Sequence, residues 1–297
     1  MKNTIVVTGG AGFVGSNLIT LLLKKTKLKI ISIDDYSTGK KKNHTDNKRV
    51  RYIKGHTKNI VTILKKKEIL IETIFHFGEF SRIYQSFLNM NECIESNTVG
   101  TNAVFNFCLK NNIKLIYSAT SASLGNNGRD KNLSPYAFTK SKNLEMLENL
   151  KKWFKMKYDV VYFYNVYGPK QIETGTMATV IGIFENHYKR KVPLPVVKPG
   201  TQSRRFTHIN DTVKICYLAW KKKQFKHYSI SNKKSYTITK VAKLFISKIK
   251  FLPPRKGERY ASALTNISQS NKVYKYFGNL QLTDYINDFL KKHSNKA

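Results

Sequence analysis

The chain has 297 residues, 41% of them hydrophobic, and its 53 lysines and arginines against 18 acidic residues give a formal net charge of +35 at pH 7. This length suits one large α/β unit or two packed domains with a substantial core. The sequence has no apolar run of about 18 residues, which argues against a membrane span. It does not begin with a basic segment followed by an apolar one, which argues against a signal peptide. We therefore expect a cytoplasmic protein.

The high positive charge has two explanations: binding to nucleic acid or anionic membranes, or a lysine-rich surface. The lysine triplets at 40–42, 65–67 and 221–223 lie in separate segments, without interleaved aromatic residues or a nucleic-acid-binding motif. We favour the second explanation and expect no specific nucleic-acid partner and no membrane partner.

Cysteine and histidine spacing argues against metal binding. The three cysteines, Cys93, Cys108 and Cys216, form no CxxC pair, and the seven histidines show no ligand spacing. We predict buried, reduced thiols and no metal site.

The first predicted strand, Thr4–Thr8, is followed by a glycine-rich turn, Gly9–Gly15, and by a helix over residues 16–23. In such a strand–turn–helix unit, Gly12 lets the backbone approach a pyrophosphate and Gly15 lets the helix pack closely on the strand. The helix N-terminus offers free N–H groups to the anion. The pattern predicts a dinucleotide site.

An acidic residue at the end of the second strand supports this interpretation. The apolar segment 29–33 ends at Asp34, nineteen residues past Gly15. A carboxylate there hydrogen-bonds a ribose diol and repels a 2′-phosphate, so NAD is favoured over NADP. The alternative is that Asp34 and Asp35 only begin a turn.

Strand and helix patterns alternate further along the chain. This alternation predicts a doubly wound parallel sheet, a Rossmann-type α/β fold. The predicted elements are strands at 50–55, 73–78 and 115–118, and helices at 60–67 and 90–111. A glycine and asparagine loop is predicted at 125–128, and a frayed end at 294–297.

A tyrosine and a lysine share one face of the helix predicted to run from Ser134, its N-cap, to Phe154. They are Tyr136 and Lys140, at positions i and i+4. An ammonium group nearby lowers the pKa of a phenol and makes it a better base. Thr120, at the end of the fifth strand, can hold a substrate oxygen. The alternative is an ordinary amphipathic helix.

The motifs together are those of one family. They are Thr8–Gly15, Asp34–Gly39, Asn97–Thr101, Tyr136-x-x-x-Lys140, Tyr164–Pro169 and Arg204-x-Phe206-x-His208-x-x-Asp211. Over essentially its whole length, the chain resembles an extended short-chain dehydrogenase/reductase of the NAD-dependent epimerase/dehydratase family. Within that family it looks most like the UDP-glucose 4-epimerase-like nucleotide-sugar enzymes.

The resemblance implies a role for individual residues. Tyr136 would be the catalytic acid and base, with Thr120 and Lys140 as its catalytic partners. The implied NAD-binding residues are Gly9, Gly12, Phe13, Val14, Gly15, Asp34, Tyr36, Ser37, Asn97 and Lys140. The implied substrate-binding residues are Glu79, Arg82, Asn165, Arg204 and Arg255, of which the two last arginines would hold the diphosphate.

The sequence departs from the family pattern at several positions, including the turn at Val197–Gly200 that replaces a glycine-rich one. His56 replaces the aspartate that contacts adenine, and Arg205 replaces an acid beside Arg204. Glu79 stands where the family has alanine in His-x-Ala-Ala, which places a carboxylate near the cofactor. Its alternative role is a salt bridge to Arg82.

The resemblance also predicts the domain organisation. Residues 1–168, joined by 204–226, would form the NAD-binding Rossmann domain. Residues 169–203 and 227–297 would form a smaller C-terminal α/β substrate-binding domain, with helices at 177–189 and 237–248 and a terminal helix at 282–292. A homodimer is expected, formed by pairing the helices at 90–111 and 136–154.

The predicted function is a nucleotide-sugar 4-epimerase that acts on a UDP-sugar by transient oxidation at C4. A 4,6-dehydratase or decarboxylase of the same family is the alternative, although dehydratases have Thr-Asp-Glu where this chain has Thr120-Ser121-Ala122. A non-catalytic NAD-binding regulator on the same fold is a further alternative.

Overall fold

The structure is a computed structural model that describes residues 2–123, 130–257 and 273–294. The loop predicted at 125–128 and the terminal residues 295–297 lie outside the described residues. Within the described part of the chain, no helix is long and apolar enough to cross a membrane.

The strands supply a large sheet and three small ones. In chain order they are β1 (Thr4–Thr8), β2 (Lys29–Asp34), β3 (Val50–Lys54), β4 (Ile71–His76), β5 (Lys114–Thr120), β6 (Tyr158–Phe163), β7 (Val166–Tyr167), β8 (Leu194–Val197), β9 (Ser203–Arg205), β10 (Thr207–His208), β11 (His227–Ser231), β12 (Ser235–Thr237), β13 (Ile249–Leu252) and β14 (Val273–Phe277).

The central sheet contains eight of these strands in the order β14-β11-β6-β5-β4-β1-β2-β3, and every adjacent pair is parallel. The inner strands are buried on both faces because helices cover both sides, as parallel sheets require. This confirms the predicted doubly wound α/β fold. The strand order reverses at β1, whose neighbours are β2 and β4.

The helices divide between the two faces of the sheet and a third region. They are α1 (Phe13–Lys25), α2 (Ile60–Ile63), α3 (Gln85–Leu88), α4 (Met90–Ile94), α5 (Thr101–Lys110), α6 (Pro135–Phe154), α7 (Val180–Lys189), α8 (Ile209–Lys222), α9 (Ile238–Leu244) and α10 (Leu282–Ser294). Apolar residues of α2, α5 and α6 form the core on one face, and those of α1 and α8 form the core on the other.

The smaller region has its own core. Side chains from α7, α9, α10 and β8 form a third apolar cluster that includes Phe184, Phe245 and Phe289. The strand at 227–231, which the sequence assigns to this smaller unit, instead pairs with β6 in the central sheet, and β14 pairs with it on the other side. The large sheet therefore extends past the predicted boundary at 226.

The helix predicted at 90–111 is not one continuous α-helix. A π-helical segment, Glu95–Gly100, separates α4 from α5. Such wide turns re-aim side chains and occur often at functional sites. Here Asn97 points inward, where its Oδ1 accepts the Phe80 N–H at 2.7 Å and its Nδ2 donates to the Phe80 carbonyl at 3.1 Å. The widened turn thereby fixes the loop that follows β4.

Candidate active site

A cleft of about 680 Å³ opens where the strand order reverses, at the carboxyl ends of β1 and β4. Open parallel sheets bind ligands at such switch points, and the volume lies in the usual range for small-molecule sites. The glycine-rich turn lines one part of the cleft. Asn165, Met177 and Thr179 line another, together with Tyr136.

The glycine-rich turn has no room for side chains. Gly9 has φ +69°, and a Cβ there would lie 2.8 Å from the backbone of Phe77. A Cβ on Gly15 would lie 2.2 Å from the Gly9 carbonyl oxygen. No side chain caps α1 at Gly12 and its first turn has no acidic residue, and its first residues line the cleft, so the positive end of the helix dipole lies at the cleft. The predicted residues Gly9, Gly12, Phe13, Val14 and Gly15 all line this cleft.

Asp34 and Ser37 line the same cleft beyond the turn. Burial raises the pKa of Asp34, and the backbone N–H groups of Tyr36 and Ala11 oppose this rise. Tyr36, predicted to bind the cofactor, is not among the lining residues. Its φ is +65°, and its hydroxyl lies 3.0 Å from His44 Nε2.

His56 stands where the family pattern predicts an aspartate that contacts adenine. It lines the cleft beside Gly55 and Thr57. Its Nδ1 accepts the Lys58 backbone N–H at 3.1 Å and so caps the short 3₁₀ turn that follows β3. This position of the cleft lining therefore has an imidazole instead of a carboxylate.

Thr120, Tyr136 and Lys140 come together in the cleft. Thr120 ends β5, and its Oγ1 accepts the Ala122 N–H at 3.2 Å. Helix α6 begins at Pro135 because Ser134 Oγ caps it by accepting the Ala137 N–H at 3.1 Å. The first turn of α6 thus carries Tyr136, and the next carries Lys140.

Glu79 forms an ion pair with Lys140 in the wall of the cleft. Both side chains are almost completely buried, at 3% and 4% exposure. Burial lowers the pKa of Lys140, and Glu79 opposes that shift. The alternative role in which Glu79 pairs with Arg82 is therefore wrong: the described ion pair of Glu79 is with Lys140.

Arg82 and Asn165 face the cleft near Tyr136. The Arg82 guanidinium donates from Nε to the Met177 carbonyl and from a terminal nitrogen to the Ser81 carbonyl, both at 2.9 Å. Burial lowers the pKa of Arg82, and Tyr136 opposes this. Asn165 has φ +33° and donates to the Arg205 carbonyl at 3.0 Å.

Three other predicted residues do not line the cleft described here. Asn97 is fully buried and braces Phe80, as described above. Arg204 is buried in β9 and donates to its neighbour Ser203 at 2.9 Å. Arg255 is exposed, with its guanidinium 5.2 Å from the centre of the Tyr84 ring. Their predicted ligand contacts remain predictions.

Several lining residues carry no sequence motif. Phe163 ends β6 and packs edge-on against Phe77, with ring centres 5.6 Å apart. Its place at the carboxyl end of a strand beside β5 is a signal that sequence analysis could have used. Met177 and Thr179 precede α7 and have no comparable signal. The described residues contain no cluster of three or more histidine, cysteine or acidic side chains suited to a metal ion.

Comparison with known proteins decides the family. Residues 5–231 match the NAD dependent epimerase/dehydratase family. The chain belongs to this family.

Two similar proteins are an uncharacterized UDP-glucose epimerase, YtcB, of Bacillus subtilis and the ADP-L-glycero-D-manno-heptose-6-epimerase of Fusobacterium nucleatum. The first is 29% identical over 229 residues, 71% of this chain and 70% of the relative. The second is 30% identical over 234 residues, 72% and 70% respectively.

A solved structure of this fold is the UDP-glucose 4-epimerase of Thermus thermophilus in complex with NAD. It superimposes with a TM-score of 0.82 at 19% identity and covers 99% of this chain and 100% of that chain. At this identity the likeness shows a shared fold.

The cofactor of this epimerase/dehydratase family member is NAD, and the residues present fit it. The turn at Gly9–Gly15 leaves a cradle that a Cβ would fill, as a pyrophosphate site requires. Asp34 accepts the Ala11 N–H on one carboxylate oxygen and the Tyr36 N–H on the other, and a carboxylate has about four acceptor positions, so it can also accept from a ribose diol.

Proposed function

We propose that the protein is an NAD-dependent nucleotide-sugar 4-epimerase that acts on a UDP-sugar. The observation that carries the proposal is a single cleft lined both by the glycine-rich turn with Asp34 and by Thr120, Tyr136 and Lys140. A dinucleotide held by the first group would present its reactive end to the second. The related UDP-glucose epimerase supports a UDP-sugar as substrate.

Each side chain of this group has a task in that reaction. Tyr136 removes the proton from the sugar 4-hydroxyl and later returns it. Thr120 Oγ1 already accepts the Ala122 N–H, so its own proton is available to the sugar oxygen. Arg82, held by two carbonyl oxygens, contributes positive charge beside Tyr136. NAD, when bound, supplies the hydride acceptor and donor.

A 4,6-dehydratase is the alternative within the family. It needs an acid and a base next to the catalytic threonine, where this chain has Ser121 and Ala122, both buried. Glu79 is the nearest candidate for such work, but its carboxylate oxygens already accept protein donors. The site therefore favours epimerisation.

The deciding experiment incubates the purified protein with UDP-, dTDP- and GDP-sugars and identifies the products by NMR. The panel also contains the ADP-heptose, because one relative is a heptose 6-epimerase. A 4-epimer formed without net reduction of NAD supports the proposal. A 4-keto-6-deoxy product would establish the dehydratase instead, and bound NAD without turnover of any sugar would favour the non-catalytic regulator.

We also propose that the protein is a homodimer. Helices α4 and α6 expose large apolar side chains, among them Met90, Ile94, Phe138 and Trp153. Phe138, Met146 and Trp153 recur at helical spacing on one face of α6. Such a stripe on the outside of two neighbouring helices fits a second copy packed against it.

A further inference from the structure

The ion pair between Glu79 and Lys140 lies under the proposed reaction site. Glu79 follows β4 in the loop that lines the cleft, and Lys140 lies one turn beyond Tyr136 on α6. The two side chains are 3% and 4% exposed. A buried ammonium group without a counter-ion is costly and tends to lose its proton.

The carboxylate of Glu79 is surrounded by hydrogen-bond donors. Oε1 accepts from the Thr101 hydroxyl at 3.0 Å and from the Tyr117 hydroxyl at 3.1 Å. Oε2 accepts from Lys140 and lies 3.4 Å from the Ser118 hydroxyl. This arrangement suits an anion, because an ionised carboxylate accepts hydrogen bonds on both oxygens and has no proton of its own to place.

A directed chain of hydrogen bonds leads to the same carboxylate from β1. The Thr8 hydroxyl oxygen accepts the N–H groups of Phe77 and Gly78 at 3.1 and 3.0 Å, so its proton goes to His76 Nδ1 at 2.7 Å. His76 Nε2 then donates to the Thr101 hydroxyl at 2.9 Å, and that hydroxyl donates to Glu79. We assign the tautomer of His76 from this network.

Among the described titratable groups around Lys140, Glu79 is the one that forms an ion pair with it. Burial lowers the pKa of His76 to about 4, raises the pKa of Cys93 to about 11 and raises the pKa of Tyr117 well above its usual range. All three are therefore neutral around pH 7. The described titratable groups that face Lys140 are Glu79 and His76 at the end of β4, Cys93 on α4, Tyr117 on β5 and Tyr136 on its own helix.

We infer that Glu79 is a positioning residue that keeps Lys140 protonated and fixed in the wall of the cleft, one helical turn beyond Tyr136. The inference rests on the proposed function, since it gives Lys140 a place in the reaction. The ammonium group donates to Glu79 and to the Ser118 carbonyl, and it lies 4.3 Å from the centre of the Tyr117 ring. These contacts hold it in one place, and the carboxylate keeps its charge.

The test is the pH dependence of Lys140 acylation by trace acetic anhydride, read by mass spectrometry on the full-length protein with and without NAD. Only the neutral amine reacts, so the midpoint reports the ionisation of Lys140. The variant Glu79→Gln keeps the size of the side chain and removes its charge. We expect its Lys140 midpoint to fall by about one to three pH units. An unchanged midpoint in the folded variant would overturn the inference.

A matched control is a second buried lysine–carboxylate ion pair among the described residues. Lys114 and Asp159 lie 2.6 Å apart, at 8% and 0% exposure, away from the cleft lining. Asp159→Asn should leave the Lys140 midpoint unchanged, and Glu79→Gln should leave that of Lys114 unchanged. A shift of Lys140 in both variants would mean that the effect is a general loss of packing and would also overturn the inference.

If Glu79→Gln does not fold, the double variant Glu79→Gln/Lys140→Met decides. If the double variant folds, the single variant failed because Lys140 had lost its counter-ion, which supports the inference. If the double variant also fails to fold, the inference is contradicted. These readouts do not depend on turnover. If no sugar in the panel is converted but the Lys140 midpoint shifts in Glu79→Gln, the epimerase proposal is contradicted and the inference about Glu79 is not.

Discussion

The Asp34 carboxylate accepts the Ala11 backbone N–H at 2.9 Å and thereby ties the end of β2 to the glycine-rich turn. Its other oxygen accepts the Tyr36 N–H, also at 2.9 Å. The same side chain therefore shapes the turn and presents its remaining lone pairs to the cleft. Asp34 has this structural role beside its predicted role in NAD binding, so a test must separate NAD retention from folding.

Replacing Asp34 by alanine should weaken NAD retention by about ten- to a hundredfold, because about 1.5–3 kcal/mol of charged hydrogen bonding to the ribose is lost. The measurement is NAD released per chain on denaturation, with the thermal unfolding temperature of the NAD-free protein recorded alongside. Asp46→Ala, at an exposed acidic residue, is the control. If NAD content is the same in all three proteins, Asp34 does not bind the ribose.

Sequence analysis predicts the first βαβ unit well because its signals are local. The strand at Thr4–Thr8 and the acid at Asp34 lie where predicted, and α1 extends the predicted helix by a few residues at each end. The helix predicted at 60–67 ends at Ile63, and Lys66 takes a positive φ. The rest of the predicted helix contains three consecutive lysines and so has no apolar face to bury. Helical propensity alone is too weak to extend α2 through them.

The surroundings of Glu79 could not be predicted in the same way. Its partners Thr101, Tyr117 and Lys140 come from three different elements, and their convergence depends on how α5 and α6 pack on the sheet. Sequence proximity instead suggested Arg82, three residues away. The motifs predict the glycine-rich turn, Asp34, Tyr136 and Lys140 as lining residues, whereas the charge partners follow from tertiary packing.

Replacing Tyr136 by phenylalanine should lower turnover at least about a hundredfold, because general acid–base catalysis is worth about 10²–10⁴. NAD content should remain at the wild-type level, since the ring is kept and only the hydroxyl is removed. Turnover is followed by NMR on the sugar that the panel identifies. Tyr217→Phe, on α8 against Trp220, is the control. Full activity of Tyr136→Phe would show that another group carries the proton.

His76 should make the fold sensitive to mild acid. Burial lowers its pKa to about 4 from the usual value of 6.5, so between these values the unfolded chain binds a proton that the folded chain does not. Stability therefore falls as pH falls through that window. From pH 7 to pH 5 the contribution is about 2 kcal/mol, from about 1.4 kcal/mol per unit over the part of the window crossed.

The measurement is the free energy of unfolding in urea at pH 7 and pH 5 for wild type and His76→Gln. The variant will be less stable at pH 7, because the hydrogen bonds to Thr8 and Thr101 are altered. Its loss between pH 7 and pH 5 should nevertheless be smaller by about 2 kcal/mol. His187→Gln, at a histidine of the smaller region, provides the control. If the free energy of unfolding depends equally on pH in wild type and His76→Gln, His76 does not have the lowered pKa.

The exposed apolar stripe on α6 gives the last prediction. Phe138 and Trp153 are 47% and 61% exposed at opposite ends of the helix. If a second copy covers this face, a charge at either position would be buried without a partner, which costs several kcal/mol. Trp153→Glu should therefore convert the dimer into a monomer in sedimentation equilibrium at micromolar protein. The control is Ile69→Glu, at a residue that is 79% exposed in the short turn before β4. It should leave the mass unchanged. A monomeric wild type, or a Trp153→Glu protein that remains a dimer, would show that α6 does not form the interface.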